Sequence, residues 1–408
     1  MAAKPVSGAR TALIAAVAVA AGALAAPAAA AGPLPGSAAP AVSASAVSAS
    51  AASAESGRDH SATQRAIEQV VRDGAPGVVA QSRDSRGEWR GTAGVGDLRT
   101  GKKRLPQDRF RIGSITKTFV ATVLLQLEAE GRLDLDDTVH EWLPGTVSGN
   151  GHDGRKVTLR RLLNHTSGIF NYTSDRGFAE KVFLEAGFLA HRYDSWQPER
   201  LVRIAMNHRP AFEPGAKWSY SNTNYILAGM VIEKATGRSY ESEIDRRIIR
   251  PLRLTATSVP RHDPRVPGPS SRAYSKLSED PAAAKIHDVT ELNPSIAGAA
   301  GAMISDARDL QRFHTALFRG RLLPKAQLRA MTSTIPLNPQ DPGQGEYGLG
   351  MMKMKLACGK EVWGHGGGIH GSNSLSVTTR DASHTLALNT NGDWAGDTDP
   401  VLAAEFCG

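Results

Sequence analysis

Apolar and polar positions recur along this chain with two different periods, and the changes of period mark out its elements. From Ser61 to about Asp73 the apolar residues Ile67, Val70 and Val71 share one helical face, with Ser61 placed to cap the start and Gly74 to stop the end. Gly77 to Gln81 and Glu88 to Val95 are extended runs on either side of the polar turn Asp84-Ser85-Arg86-Gly87, which predicts an antiparallel hairpin. A broad stripe of Phe119, Val120, Val123, Leu124 and Leu127 predicts a helix from Ser114 to Glu130, ended by Gly131. Further helices are predicted over Leu159 to Asn164, Pro198 to Asn207, Asn224 to Ala235, Tyr240 to Ile249 and Asp306 to Phe318. Strands return only near the end, at Met351 to Ala357, Ser372 to Thr379 and Thr385 to Asn389.

Strands at both ends with helices between them predict an α+β protein, an α/β sandwich. Its antiparallel sheet is assembled from N- and C-terminal strands, flanked by helices, with a mostly helical region over about residues 115–340 inserted. The stretch from Pro260 to Pro294, rich in Pro, Ser and charge, is expected to be a long surface excursion that reaches over the functional site.

The first part of the chain follows neither period. Lys4 and Arg10 precede an alanine-rich apolar stretch, Thr11 to Ala26, followed by the small residues Ala28 to Ala31. It is too short and too weakly apolar for the ~20 residues that span a bilayer, so residues 1–31 read as a cleaved secretory signal rather than a lasting membrane insertion. Residues 32–59 are mostly Ala, Ser, Pro and Gly and read as a disordered leader. That leaves 60–408 as one large domain of a secreted or cell-wall-associated protein.

The net charge of +8 changes this picture little, because the basic residues are interleaved with acids, as where Arg246-Arg247 follows Glu243 and Asp245. Nucleic acid is therefore not an expected partner. Contact with an anionic cell wall is compatible with the charge, though a solvated basic surface accounts for it more simply. An exported chain matures where thiols oxidise, so its two cysteines, Cys358 and Cys407, are expected to form a disulfide. Such a link could contribute up to about 4 kcal/mol through chain entropy. Neither cysteine belongs to a Cys-x-x-Cys pair and the histidines are not at zinc spacing, so no metal is expected, and no cofactor.

Three short segments carry chemistry. Ser114-Ile115-Thr116-Lys117 sets a serine and a lysine three residues apart at a helix start, which turns both side chains to one face. A lysine whose pKa is lowered by desolvation can take the serine proton, and the helix N-terminus offers N–H groups to a developing oxyanion. In Tyr220-Ser221-Asn222 the phenol can shuttle a proton and the amide can bind both a substrate carbonyl and the lysine, although the same residues would also serve as a capping loop. Gly364-His365-Gly366-Gly367-Gly368-Ile369-His370-Gly371, expected as a glycine-rich connection between two strands, lets a ligand approach the backbone closely. His365 there can offer a hydrogen bond or positive charge to the substrate.

Serine-lysine, tyrosine-asparagine and histidine-glycine in this order resemble the penicillin-recognising serine hydrolases, a likeness that extends over about residues 62–392. Leu162-Leu163-Asn164-His165-Thr166-Ser167-Gly168-Ile169 and Phe212-Glu213-Pro214-Gly215 look like sequence of the same family. More narrowly the chain is similar to D-alanyl-D-alanine carboxypeptidases and class C beta-lactamases. The resemblance implies an acyl-enzyme on Ser114, proton transfers shared by Lys117 and Tyr220, and substrate binding by Asn222, His365, Gly366 and Gly367. It further implies support of Tyr220 and of the substrate's anionic end by His365, an oxyanion hole from the backbone N–H groups of Ser114 and Gly368, and structural roles for His165 and Ser167. The implied substrate is a small peptide, a beta-lactam or an ester. One position departs from the pattern: Gly366 stands where the carboxypeptidases usually carry a hydroxyl that holds a substrate carboxylate. That keeps esterases, beta-lactamases and other peptidases of the family open beside the carboxypeptidase reading, while the presence of Ser114, Lys117, Tyr220 and Asn222 together argues against a non-catalytic penicillin-binding sensor module.

Overall fold

The hairpin expected near the start of the domain forms one edge of an eight-stranded sheet. The computed structural model describes residues 60–280, 284–341, 343 and 345–408; the secretory signal and leader expected over 1–59 lie outside them. In chain order the strands are β1 (Gly77–Asp84), β2 (Gly87–Gly94), β3 (Ile335–Pro336), β4 (Glu346–Tyr347), β5 (Met352–Lys355), β6 (Glu361–Ile369), β7 (Ser372–Thr378) and β8 (Thr385–Thr390). They lie in the order β2-β1-β8-β7-β6-β5-β4-β3, with every neighbouring pair antiparallel. The expected α+β architecture, with one sheet built from distant ends of the chain, is therefore the observed one.

The period of two along the central strands divides the core between two faces. Val78 and Ala80 of β1, with Leu386 and Leu388 of β8, point to a cluster completed by Ile67 and Val70 of α1 (Ser61–Arg72) and Val401 and Phe406 of the C-terminal helix Asp399–Cys407. Val79 and Ala387, one residue out of phase, point to the larger core on the other face. That core holds α2 (Thr116–Ala129), α3 (Asn222–Thr236) and α4 (Ala307–Phe318). α2 is buried on nearly every side, so its apolar stripe widens into that of a central helix.

Several expectations are corrected. His60, not Ser61, occupies the cap position of α1, in the left-handed conformation and without a side-chain cap, because its ring is held by Glu405 at 3.0 Å. The helix expected to begin at Ser114 starts as a 3-10 turn, Gly113–Ile115, before α2. The helix expected over Tyr240 to Ile249 is helical at Tyr240–Ile244 and widens into a π turn at Asp245–Ile249 just ahead of Pro251. The glycine-rich segment is not a connection between strands but the body of β6, and only His370-Gly371 makes the turn.

The stretch from Pro260 to Pro294 does run at the surface, exposed or half-buried over 260–273, but its described residues are also tied to the core. Leu277, Val289 and Leu292 are buried in the main core, Tyr274–Ser275 pairs with His287–Asp288, and the Arg111 guanidinium donates to Pro264 O at 2.6 Å and Leu292 O at 3.1 Å. Buried apolar residues and a buried cation bind it to the body of the protein. Cys358, in the loop before β6, is paired with Cys407 at the end of the last helix, with Cα atoms 5.8 Å apart. Among the described residues no helix is long and apolar enough to cross a membrane.

Candidate active site

A sharp turn presents the nucleophile. Gly113 has φ +50°, and a Cβ there would lie 2.8 Å from Gly368 N and 2.9 Å from Gly368 O, so both the conformation and the space call for glycine. β6 approaches the same turn from the other side: a Cβ on Gly367 would fall 1.9 Å from Ile112 O and 3.0 Å from Ser114 N. Backbone thus lies directly on backbone. The contact sets the backbone on either side of Ser114 against that of Gly367 and Gly368, the segment in which the oxyanion donors are expected.

Lys117, the second residue of α2, is completely buried. Its Nζ contacts Ser114 Oγ at 3.0 Å, Asn222 Oδ1 at 2.8 Å and Ala300 O at 2.7 Å. The last two are acceptors only, and they take two amine hydrogens. The contact with Ser114 can run in either direction, because a hydroxyl donates as well as accepts. Burial pushes the Lys117 pKa well below its ordinary value, which favours the neutral amine. A neutral amine with two N–H groups engaged directs its lone pair at the serine hydroxyl, the arrangement of a general base.

Asn222 is the first residue of α3 and is held from both ends: Asn171 Oδ1 accepts its backbone N–H at 3.0 Å, and its Nδ2 donates to Thr173 Oγ1 at 3.3 Å. The second bond orients the amide so that its oxygen faces Lys117. Tyr220 lies beneath the amine, with Nζ 4.7 Å from the ring centroid, and its hydroxyl is hydrogen-bonded to Ser114. Burial raises the Tyr220 pKa above the usual phenol range, with the Ser114 bond opposing it, so the phenol stays protonated at neutral pH.

His365 departs from its expected part. Burial, reinforced by Lys117, lowers its pKa to about 3, so the ring is neutral and supplies no positive charge to an anionic substrate end. Nor does it bond to Tyr220, whose ring centroid is 6.4 Å away. Its Nε2 is 2.9 Å from the hydroxyl of Tyr347, and its Nδ1 faces Gly366 O. The carbonyl can only accept, which puts the ring proton on Nδ1 and leaves Nε2 to accept from Tyr347. Gly366 brings no hydroxyl, and the nearby Ser372 and Ser374 hydroxyls are both turned to Arg111 O, at 2.7 and 3.3 Å.

His165, buried with φ +62°, packs its ring 4.3 Å from that of Tyr220 and accepts the Ser221 N–H at 3.2 Å. Ser167 Oγ donates to Asn224 Oδ1 at 2.6 Å. Both therefore brace the loop that carries Tyr220 and Asn222. The structure brings together Ser114, Lys117, Tyr220, Asn222, Gly367 and Gly368, and keeps His365 one contact away. Sequence reasoning missed Ala300, Asn171, Thr173 and Tyr347. Only Asn171 and Thr173 left a signal, as polar residues directly after the Leu162–Ile169 segment. Among the described residues no cluster of His, Cys, Asp or Glu could hold a metal ion.

A serine and a buried lysine on a helix start, faced by a Tyr-x-Asn loop and by an edge of a large antiparallel sheet, define a serine hydrolase of the beta-lactamase and penicillin-binding type. Residues 63–405 match the Beta-lactamase family model, and the chain belongs to that family. Penicillin-binding protein 4* of Bacillus subtilis (strain 168) is 29% identical over 300 residues, 69% of this chain and 60% of that protein. Penicillin-binding protein 4 of Amycolatopsis lactamdurans is 30% identical over 206 residues, 50% of this chain and 49% of that one. The chain thus spans only about half to three fifths of these curated relatives. Among solved structures, a D-stereospecific amidohydrolase from Streptomyces sp. is 62% identical with a TM-score of 0.82, covering 86% of this chain and 99% of that one. The D-amino acid amidase of Ochrobactrum anthropi SV3, complexed with L-phenylalanine amide, is 29% identical with a TM-score of 0.72, covering 84% and 97%.

Proposed function

We propose that the protein is an amidohydrolase that cleaves amide bonds on the carbonyl side of D-amino-acid residues through an acyl-enzyme on Ser114. The observation that carries the chemistry is Lys117 Nζ, held between Ser114 Oγ at 3.0 Å and Asn222 Oδ1 at 2.8 Å. In the acylation step Lys117 takes the Ser114 proton while Oγ attacks the substrate carbonyl carbon. The oxyanion is received by the N–H groups of Ser114 and Gly368. As the carbon–nitrogen bond breaks, the proton passes from Lys117 through the Tyr220 hydroxyl to the leaving amine, and the acyl group stays on Ser114. Water, deprotonated by the same pair, then hydrolyses the ester and restores the serine.

Two facts support the D-amide reading over the narrower carboxypeptidase one. The Streptomyces amidohydrolase is 62% identical over nearly its whole chain, and Gly366 provides no hydroxyl to hold a terminal carboxylate. The second reading, D-alanyl-D-alanine carboxypeptidase, is favoured by the relatives named as penicillin-binding proteins; esterase and beta-lactamase activities remain within reach of the same chemistry. The signal-like start of the chain is the ground for placing this activity outside the cell.

Release assays on wild type and Ser114→Ala with D- and L-phenylalanine amide, a D-Ala-D-Ala peptide, a cephalosporin and a short-chain nitrophenyl ester separate these readings. The D-amide is expected to turn over at least ten times faster than its L-enantiomer, with no turnover in Ser114→Ala. Faster cleavage of the D-Ala-D-Ala peptide than of the D-amide would select the second reading, and activity surviving in Ser114→Ala would refute the acyl-enzyme.

A further inference from the structure

A cavity of about 440 Å³ opens between β1, α4 and the turn after Pro251, and no residue of the Ser114 site contributes to it. Strand register places it at the other end of the sheet. Arg83 of β1 stands opposite Thr385, Thr385 opposite Thr378, and Thr378 opposite Trp363, which is five residues along β6 from Gly368. At ~3.3 Å per residue that is roughly 16 Å along the strands.

Six arginines line this cavity, Arg83, Arg253, Arg308, Arg312, Arg319 and Arg321, against one carboxylate, Glu88. Glu88 is already engaged by Arg90, whose Nε donates to it at 2.6 Å. Elsewhere the chain neutralises its arginines locally: Arg86 pairs with Asp84, Arg155 with Asp153, Arg160 with Asp136, and Arg265 with Asp263. None of the six makes an ion pair among the described residues. Two are aimed by backbone carbonyls, Arg312 through Leu252 O at 2.6 Å and Arg319 through Ala382 O at 3.5 Å. At the cavity floor the Gln81 side-chain amide is buried and its Nε2 has no acceptor. Cations and an unpaired donor therefore converge on one concave surface whose single carboxylate is already engaged by Arg90.

We propose that this cavity is a binding site for an anion carrying several phosphate groups. A guanidinium is always charged and presents a fork of N–H donors that matches phosphate oxygens. Tetrahedral phosphates can be shared by arginines arranged around a bowl, whereas a carboxylate offers its oxygens in one plane. Six cations against one acid call for more than one phosphate, and the volume is that of a ligand-sized pocket rather than a single-ion site. The phosphates can belong to a free oligophosphate or to a phosphodiester chain.

The test is calorimetric titration of the full mature protein with sodium tripolyphosphate, with a glycerol-phosphate trimer and with citrate. At least one phosphate probe is expected to bind saturably and at least ten times tighter than citrate, and the better of the two identifies the source. Arg83→Ala/Arg308→Ala/Arg321→Ala, all on exposed side chains, should weaken that probe at least ten-fold while leaving amide turnover intact. A control that removes the same charge elsewhere, Arg65→Ala/Arg72→Ala/Arg99→Ala, should weaken it less than three-fold. Should the cavity variant melt early, the single Arg308→Ala is read in its place. No saturable phosphate binding, equal binding of citrate, or equal losses in the two triple variants would overturn the site.

Discussion

Lys117 Nζ lies 2.8 Å from Asn222 Oδ1, joining the second residue of one helix to the first residue of another across 105 positions of sequence. The bond takes one hydrogen of a buried amine and thereby decides where its lone pair points. Asn222→Ala removes the acceptor and leaves that amine under-satisfied, at a cost of about 1–3 kcal/mol. The kcat/KM for the preferred amide is expected to fall roughly 10- to 100-fold, with the larger part in kcat because the acylation step loses its oriented base. Steady-state kinetics on the folded variant check this; an unchanged kcat would remove Asn222 from the machinery.

The pH dependence follows from the same burial. A base must be unprotonated to act, and desolvation lowers the Lys117 pKa well below its ordinary 10.5. The rising limb of the rate is therefore displaced to the acid side, and acylation of Ser114 by a fluorophosphonate should reach its plateau at a pH well below 10.5. A rate that keeps climbing tenfold per unit up to pH 10 would show Lys117 to be an ordinary protonated lysine.

Gly367→Ala tests the backbone contact behind the oxyanion hole. Its Cβ would fall 1.9 Å from Ile112 O and 3.0 Å from Ser114 N, so β6 and the Ser114 turn must separate. Displacing one N–H donor from the oxyanion costs about 3 kcal/mol, or roughly a hundredfold in kcat. Stopped-flow acylation rates report it, with near-UV circular dichroism to establish that the rest of the fold is kept.

Glu405 anchors the last helix through His384 at 2.7 Å, Thr63 at 2.8 Å and His60 at 3.0 Å, and through Ser82. Burial opposes its charge, but these four hydrogen bonds outweigh it and hold the pKa at about 2, against 4.5 for a free glutamate. A depressed folded-state pKa means that the stabilisation is complete above pH 4.5 and is lost as pH falls from there toward 2. The loss amounts to about 3 kcal/mol at most, counting 1.36 kcal/mol per pKa unit. Thermal melts between pH 2 and 7 should show this slope in wild type and a flatter, lower curve in Glu405→Gln.

The Cys358–Cys407 pair closes the same helix onto the loop before β6. Intact-mass analysis of protein matured under oxidising conditions should show two hydrogens fewer than the reduced chain. Reduction, or Cys407→Ser, should cost about 2–4 kcal/mol by denaturant unfolding. A mass equal to the reduced form would place both thiols free.

Much of this architecture was legible in the chain, because period and punctuation are local properties. The helices over 61–72, 198–206 and 307–318 and the hairpin at 77–94 lie within a few residues of where the apolar spacing put them. The short helices Arg176–Phe183 and Glu185–His191 were missed, since one or two turns carry too few apolar repeats to establish a period. The glycines of β6 misled for a different reason: locally they read as a turn, whereas they are in a strand because another backbone passes within contact distance of it.

By itself the sequence determined the fold class and the candidates Ser114, Lys117, Tyr220 and Asn222, since residue types at fixed spacing on a helix start and a capped loop are set within a few turns of chain. Only the tertiary structure decided what each candidate faces. Ala300 O completes the lysine's hydrogen bonds from 183 residues away, and Tyr347 rather than Tyr220 receives His365. Packing alone buries that ring and strips it of its charge. Burial and long-range acceptors arise from the meeting of distant segments, which no local pattern of hydrophobic and polar residues encodes.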